Sequence, residues 1–328
     1  MDTYENIDKK DLKKLQKYIS GLVDPNATSK AVIEKEQRTT DCPIATNTGK
    51  FEITKSDCEC AHHIRHKYNG MCMSEELFKK IIEHYKEHIE QTKDQTNERT
   101  NEQMLKLIKT KLECSSESCI LAHPNIKHLG LAKKELSTRF LPSGPKNTQD
   151  WLDNFNIDET NILFKKFFPG FVPFGYQMID FMQKGTTFAR ANIPMLIEKG
   201  MKTSATVINT DYSTGSGLHW FAIFIDARKP TDITVEYFNS SGNKPPEEIQ
   251  RWLYNTIEDI NIHRPHMMAR MVKMPPTRIQ KDDHSCGVYS LFYIFHRNLG
   301  YPIEQFNERN ISDQMMHIFR WNLFRTHK

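Results

Sequence analysis

Apolar residues recur at helical spacing through the front of this 328-residue chain, and strand-like patterns gather behind it. In "SEELFKKIIEHYKEHIEQ", Leu77, Ile81, Ile82, Tyr85 and Ile89 fall mostly three or four positions apart. They follow a Ser-x-x-Leu start and acidic first-turn residues, which predicts a helix. "QTKDQTNERTNEQ" (91–103) has no apolar residue and reads as a solvated linker or frayed helix, and "NEQMLKLIKTKLEC" resumes a helix. The Pro and Gly of "LPSGPKNTQ" punctuate a boundary near residue 147. No internal repeat interrupts this plan.

From 148 to 328 the element types mix. "WLDNFNIDETNILFKKFF" predicts a helix, while "ATVINT" (205–210), "HWFAIFID" (219–226) and "ITVEYFN" (233–239) carry the aromatic and β-branched residues of strands. "PPEEIQRWLYNTIEDI" opens with Pro and Glu, then puts Ile249, Leu253, Ile257 and Ile260 on one helical face. "HMMARMVKM" is a further candidate strand, and the chain turns helical again from Ser285. This order predicts an α+β core over 148–328 behind a helical, cysteine-containing arm over 1–147.

Composition narrows the function classes. With 38% hydrophobic and 10% aromatic residues the chain can bury a core, and 45 basic against 41 acidic residues leave a charge of only +4. That excess is too small to demand nucleic acid and does not exclude a basic face. The start "MDTYENIDKKDLKK" lacks the apolar stretch of a signal peptide, and runs such as "VYSLFYIF" are too short to span a membrane, so a soluble intracellular protein is expected. Seven cysteines in such a chain point to a reducing setting, where a thiol is more often catalytic, metal-bound or simply buried than disulfide-bonded.

Six of those cysteines lie in the arm. "CECAHHIRHKYNGMC" brings Cys58, Cys60, His62, His63, His66 and Cys72 together, and "CSSESCILAH" adds Cys114, Cys119 and His123. Clustered soft ligands raise the thought of zinc, but the spacings fit no standard zinc pattern, so surface or packing thiols are expected and no metal is assigned. Whether Cys58, Cys60, His63, Cys72, Cys114 and Cys119 bind zinc stays open at this level.

The seventh cysteine is different. In "QKDDHSCGVYSLFYI", Cys286 stands where a buried helix begins, a position whose dipole favours a thiolate, and Gly287 leaves room for a substrate backbone. Taken alone, Cys286 reads as a core cysteine. A catalytic reading needs an imidazole and a group to hold it. His219 follows the flexible stretch "STGSG" and opens an apolar strand, and Asn239 closes the next one, so pairing of the two strands would bring them together. Singly, His219 is a strand-edge histidine and Asn239 a turn former. Gln280 could donate its amide to an oxyanion beside the Cys286 main-chain N–H, and by itself is a loop glutamine. Asp226 rivals Asn239 but would sit at the far end of its strand.

The order His-Trp, a strand ending in Asn, then Gln-x5-Cys-Gly resembles the clan of cysteine proteases that contains adenovirus protease and the SUMO-processing Ulp/SENP enzymes. "VINTDYSTGSGLHWFAIFIDAR", "VEYFNSSGNKPP", "CGVYSLFYI", "SESCILAHP", "KELSTRF", "NFNIDET" and "FRWNLFRTHK" are similar to the African swine fever virus type of polyprotein-processing protease within that clan. The resemblance implies a papain-like, Ulp-type core, a central mixed sheet flanked by helices, and a helical arm that supports it. It implies Cys286 as nucleophile, His219 as general base and later acid, Asn239 as the group orienting the imidazole, and Gln280 as oxyanion donor. Most of the clan uses Asp or Glu at the position of Asn239, and a neutral amide stabilises imidazolium less.

In the resembling proteases the tryptophan after the histidine closes over the substrate channel, which implies cleavage after Gly-Gly-X. Trp220 would otherwise be core packing on the opposite strand face from His219. Asn209, at the end of "VIN", is a weaker candidate for holding substrate backbone. The expected substrates are viral core polyproteins, cut during virion maturation in the host cytoplasm (the virus factory) and in the packaged virion core. Neither cofactor, membrane nor nucleic acid is required for thiol acyl transfer. The alternatives are an isopeptidase for ubiquitin-like tags, an acetyltransferase of the same clan, and an inactive partner-binding module.

Overall fold

The computed structural model describes residues 42–45, 51–54, 59–60, 71–90, 100–145, 149–263, 268–274, 276–306 and 311–325. Among them, no helix is long and apolar enough to cross a membrane. They fall into two compact units, one ending at Ser143 and joined by the chain end from Phe324, the other running from Gly144 to Leu323. The sequence pattern put the boundary near residue 147 and left the chain end in the second region. Instead, the Arg325 main-chain N–H donates to Pro142 O at 3.0 Å and its guanidinium donates to Leu141 O at 2.7 Å.

The first unit contains helices α1 (Glu75–Glu90), α2 (Asn101–Lys111), α3 (Glu117–Ala122) and α4 (Ala132–Arg139). Leu77, Ile81 and Tyr85 of α1 are buried, as their spacing predicts. Helix α2 starts at Asn101, where "NEQMLKLIKTKLEC" predicts that a helix resumes. Thr100 and Gln103 form a reciprocal capping box that satisfies two end groups. Part of the polar stretch before it, residues 91–99, lies outside the described residues. The unit also holds an antiparallel ribbon that the pattern did not show, β1 (Cys42–Ala45) with β2 (Phe51–Thr54).

The expectation of unpaired arm thiols is corrected here. Cys60 is bonded to Cys72 and Cys114 to Cys119, with Cα separations of 5.0 and 5.5 Å that suit disulfides. Four of the six residues considered for zinc are therefore not available as thiolates, and Cys58 and His63 lie outside the described residues. Beside the first bridge, the Glu117 carboxyl accepts the N–H groups of Cys72 and Met73. Burial nevertheless pushes its pKa up to about 7, because those donors only partly replace water.

In the second unit, β3 (Phe171–Met178), β4 (Thr203–Asn209), β5 (Trp220–Asp226), β6 (Ile233–Phe238) and β7 (Ala269–Lys273) form one sheet in that spatial order. Antiparallel pairing joins β4, β5 and β6, while β3–β4 and β6–β7 are parallel. The parallel β6–β7 pair follows from the crossover helix α8 (Glu247–His263) between them. Its Ile249, Trp252, Leu253 and Ile260 pack with Phe221, Ile223, Ile225 and Val235 on one sheet face. Before it come α5 (Asn154–Phe167) and the short α6 (Phe181–Lys184) and α7 (Ile193–Glu198).

Edge strand β3 escaped the sequence pattern for a physical reason. Pro173 removes a ladder donor and the register shifts between Pro173 and Tyr176. At that bulge Gly175 takes φ +65°, and a Cβ there would lie 2.3 Å from Asp158 Oδ1, which accepts the Tyr176 N–H at 2.8 Å.

Helix α9 (Cys286–Leu299) covers the other face and is followed by α10 (Asp313–Leu323). Every residue of α9 from Cys286 to Arg297 is buried. Tyr293 stacks on Phe238 of β6, with ring centroids 4.3 Å apart. Near the helix's C-terminal end, the wholly buried Glu236 carboxylate accepts from Arg297 Nε at 2.8 Å, Arg297 Nη2 at 2.6 Å and Tyr293 Oη at 2.6 Å. Arg297→Met leaves that carboxylate without its cation. We expect a loss of about 3–5 kcal/mol in urea unfolding, and recovery of most of it when Glu236→Leu is added.

Candidate active site

The α9 N-terminus meets the mouth of β5. Cys286 is the first residue of the helix, and Asp282 holds the turn that precedes it. Its Oδ1 accepts the N–H groups of His284 and Ser285 at 3.2 and 3.0 Å, and its Oδ2 accepts the Ser285 hydroxyl at 2.6 Å. With the helix seated against β5, Cys286 Sγ accepts the Trp220 main-chain N–H at 3.5 Å, one residue from His219.

Asn239 follows β6, next to β5, as the strand pairing predicts. Its Oδ1 accepts from His219 Nε2 at 2.8 Å and from the Ser241 N–H and hydroxyl at 3.0 and 2.8 Å, while its Nδ2 donates to Tyr237 Oη at 3.0 Å. These partners agree on which amide atom faces the ring. An acceptor at Nε2 puts the proton there and leaves the lone pair of the neutral imidazole on Nδ1. Burial pushes the Tyr237 hydroxyl up to about 12, so it stays a neutral phenol.

Gln280 is buried and anchored at both ends of its amide. Oε1 accepts the Ser240 hydroxyl at 2.7 Å, and Nε2 donates to the Asp282 carbonyl and Oδ1, each at 3.1 Å. One carboxylate thus joins the Gln280 amide to the residue before Cys286.

The electrostatics correct a sequence expectation. The helix N-terminus lowers the Cys286 thiol less than its surroundings raise it. Burial, leaving it 3% exposed, pushes it up, helped by the nearby Asp282 carboxylate, and the N–H groups of Trp220 and Gly287 only partly offset this. Burial chiefly pushes the His219 imidazole down, Arg278 adds to the effect, and the Asn239 bond opposes it. Both shifts favour a neutral thiol beside a neutral imidazole.

Three further expectations change. Gly287 makes room for the protein's own side chains rather than for substrate: a Cβ there would lie 3.1 Å from Leu152 Cβ and 3.2 Å from Trp220 Cδ1. The "STGSG" stretch is tied down: Asn209 Oδ1 accepts from Asp211 N and Leu218 N, Asp211 from Gly217 N, and Asp180 from Ser213. Asn209 is accordingly buried, with its amide oxygen already engaged by this loop. Asp226, at the opposite end of β5, binds Arg228 and Arg297.

Trp220 is 4% exposed. Its indole N–H donates to Leu152 O at 2.9 Å, fixing the ring beside the cysteine-bearing helix turn. Tyr237, Ser240, Asp282 and Leu152 were not found by sequence reasoning. Tyr237 alone had a local signal, since it shares a strand face with Asn239 two residues on.

These elements have counterparts in known proteins. Residues 183–327 match the model of the Ulp1 protease family C-terminal catalytic domain. Two isolates of African swine fever virus carry relatives named SUMO-1 cysteine protease and cysteine protease, each 33% identical over 84% of this chain and 97% of the relative. The chain belongs to the Ulp1 family of cysteine proteases. The crystal structure of the African swine fever virus protease superposes with TM-score 0.62 at 28% identity, over 88% of this chain and 98% of that one. The Ulp1-type fold covers a protease core built on a mixed five-stranded sheet flanked by helices. Like its relatives, this Ulp1-family member is a cysteine protease, which acts on protein substrates.

The contact between Gly287, Trp220 and Leu152 sets a tolerance of tenths of an ångström. Gly287→Ala gains helix propensity but crowds two fixed side chains, and we expect a net loss of about 1 kcal/mol in urea unfolding. A shift in the emission of Trp220, read against Trp220→Phe, should accompany it.

Proposed function

We propose that this Ulp1-family protease cleaves viral structural polyproteins after Gly-Gly-X sites, with Cys286 as nucleophile, His219 as base and acid, Asn239 as orienting amide and Gln280 as oxyanion donor. The observation that carries the reading is the Trp220 N–H on Cys286 Sγ, one residue after an imidazole whose Nε2 is held by Asn239. In the first step Nδ1 of His219 takes the thiol proton as sulfur attacks the scissile carbonyl carbon. The carbonyl electron pair moves to oxygen, where the Cys286 N–H donates to it, joined by the Gln280 amide as Nε2 gives up one of its Asp282 bonds. Collapse breaks the C–N bond, and the imidazolium gives its proton to the leaving amine. Water, deprotonated by the same Nδ1, then releases the acyl group and restores the thiol.

Preference for glycine follows from the packing around sulfur. In the resembling proteases this tryptophan closes over the substrate channel, and a Trp220 ring held by Leu152 and backed against Gly287 supports the same preference for residues without side chains. Such substrates place the enzyme in the virus factory of the host cytoplasm and in the virion core. The name of the swine fever virus relatives favours a second reading, an isopeptidase that cuts after the Gly-Gly of a SUMO-like tag. Purified protein should be incubated with its own virus's core polyprotein and with a SUMO-linked substrate, followed by sequencing of the new N-termini. Cuts after Gly-Gly-X in the polyprotein, abolished by Cys286→Ala, are expected. Cleavage of the SUMO substrate alone supports the isopeptidase, and undiminished cutting by Cys286→Ala removes the assignment.

The pH dependence has a definite sign. His219 must be neutral to accept the proton, and its folded pKa lies below the usual 6.5. The acid limb of kcat/KM should therefore have its midpoint below pH 6.5. With the thiol raised above its usual 9.0, no alkaline fall is expected up to pH 9. A midpoint at pH 7 or above would contradict this.

A further inference from the structure

Behind the cysteine turn, three ligand-type side chains converge, of which the candidate site engages only Asp282, as the support of Gln280 and Ser285. Asp282 and His284 stand in the loop before α9, and His317 comes from α10. One ligand atom from each, a carboxylate oxygen and two ring nitrogens, lies within 4.8 Å of the others. His284 Nε2 is 3.6 Å and His317 Nε2 is 3.8 Å from Asp282 Oδ2, too long for hydrogen bonds. Ligands around a tetrahedral zinc-type ion, at bond lengths of about 2.0–2.1 Å, stand about 3.4 Å apart, so small side-chain rotations would close the set.

Lone-pair directions agree with that geometry. His284 Nδ1 faces Asp283 Oδ1 at 3.2 Å, which places the ring proton on Nδ1 and leaves a lone pair on Nε2. That Nε2 is buried and has no hydrogen-bond partner among the described residues. A carboxylate behind a histidine ligand is the usual outer support of such a site. Among the described residues, Asp282 Oδ2 accepts the Ser285 hydroxyl alone and keeps a lone pair for an ion. Arg320 stands near, donating to the carbonyls of His284 and Asp150, and its charge opposes a cation. Asp283 and Asp313 supply negative charge to offset it.

We propose that Asp282, His284 and His317 bind a divalent transition metal of the zinc class, clamping the cysteine-bearing turn to α10. Two imidazoles and one carboxylate select such an ion over calcium or magnesium, which prefer oxygen ligands. The clamp rests on these side chains alone and does not depend on the role of Cys286.

An intact Cys286 thiol could itself ligate zinc, so the test uses the full chain carrying Cys286→Ala, with and without His317→Ala. Calorimetric titration with Zn²⁺ is expected to show a site in Cys286→Ala that weakens at least tenfold when His317→Ala is added. At saturating Zn²⁺ the first protein should melt about 5 °C higher, and the second should not. Co²⁺ should give tetrahedral bands without thiolate charge transfer. His284→Gln provides a second arm should His317→Ala misfold. Equal affinity with and without His317 and His284, no binding to Cys286→Ala, or a cobalt spectrum dominated by thiolate ligands would overturn the proposal.

Discussion

The seating against β5 of one helix, buried from Cys286 to Arg297, fixes the surroundings of the sulfur. At its C-terminal end Arg297 meets Glu236, both buried, and at its N-terminal end Asp282 gathers the turn. Between these anchors the aromatic faces of Tyr289, Tyr293 and Phe295 are packed without exposure. A buried ion pair is a poor source of net stability but a strong constraint on register, because any slip would strand a charge in the core. The consequence lies about three turns away, where the first helical residue meets the main chain of Trp220. The place of Cys286 is thus set from the opposite end of the helix.

Burial that fixes the geometry also sets the protonation states. A helix N-terminus ordinarily favours thiolate, yet here the sulfur is surrounded by Trp220, Leu152 and its own helix, with a carboxylate close by. The imidazole is shifted in the opposite direction by the same desolvation. Proton transfer coupled to attack suits such a pair better than a standing ion pair does. A neutral Asn239 is consistent with this, since it aligns the ring without strongly favouring imidazolium.

Sequence carried the fold wherever local pattern and burial agree. Strands β4, β5 and β6 are buried along nearly their whole length, and their aromatic and β-branched residues announce it. Strand β3 was invisible because Pro173 and Gly175 break the pattern, and only the distant Asp158 explains the bulge. At the candidate site, His219, Asn239 and Cys286 were singled out through the resemblance of their order to the protease clan. Their supports could not be read, because Leu152 reaches Trp220 across 68 positions and Ser240 reaches Gln280 across 40. The arm disulfides were also beyond reach, since spacing alone does not report Cα separation.

The central claim is that helix seating leaves Nδ1 of His219, with Nε2 held by Asn239, facing the sulfur of Cys286. Treatment of the native protein with dibromoacetone, whose two electrophilic carbons can bridge a thiol and a nearby ring nitrogen, tests it most directly. Peptide mapping should find Cys286 joined to His219. A bridge from Cys286 to any other residue, or singly alkylated Cys286 with His219 untouched, would contradict the claim.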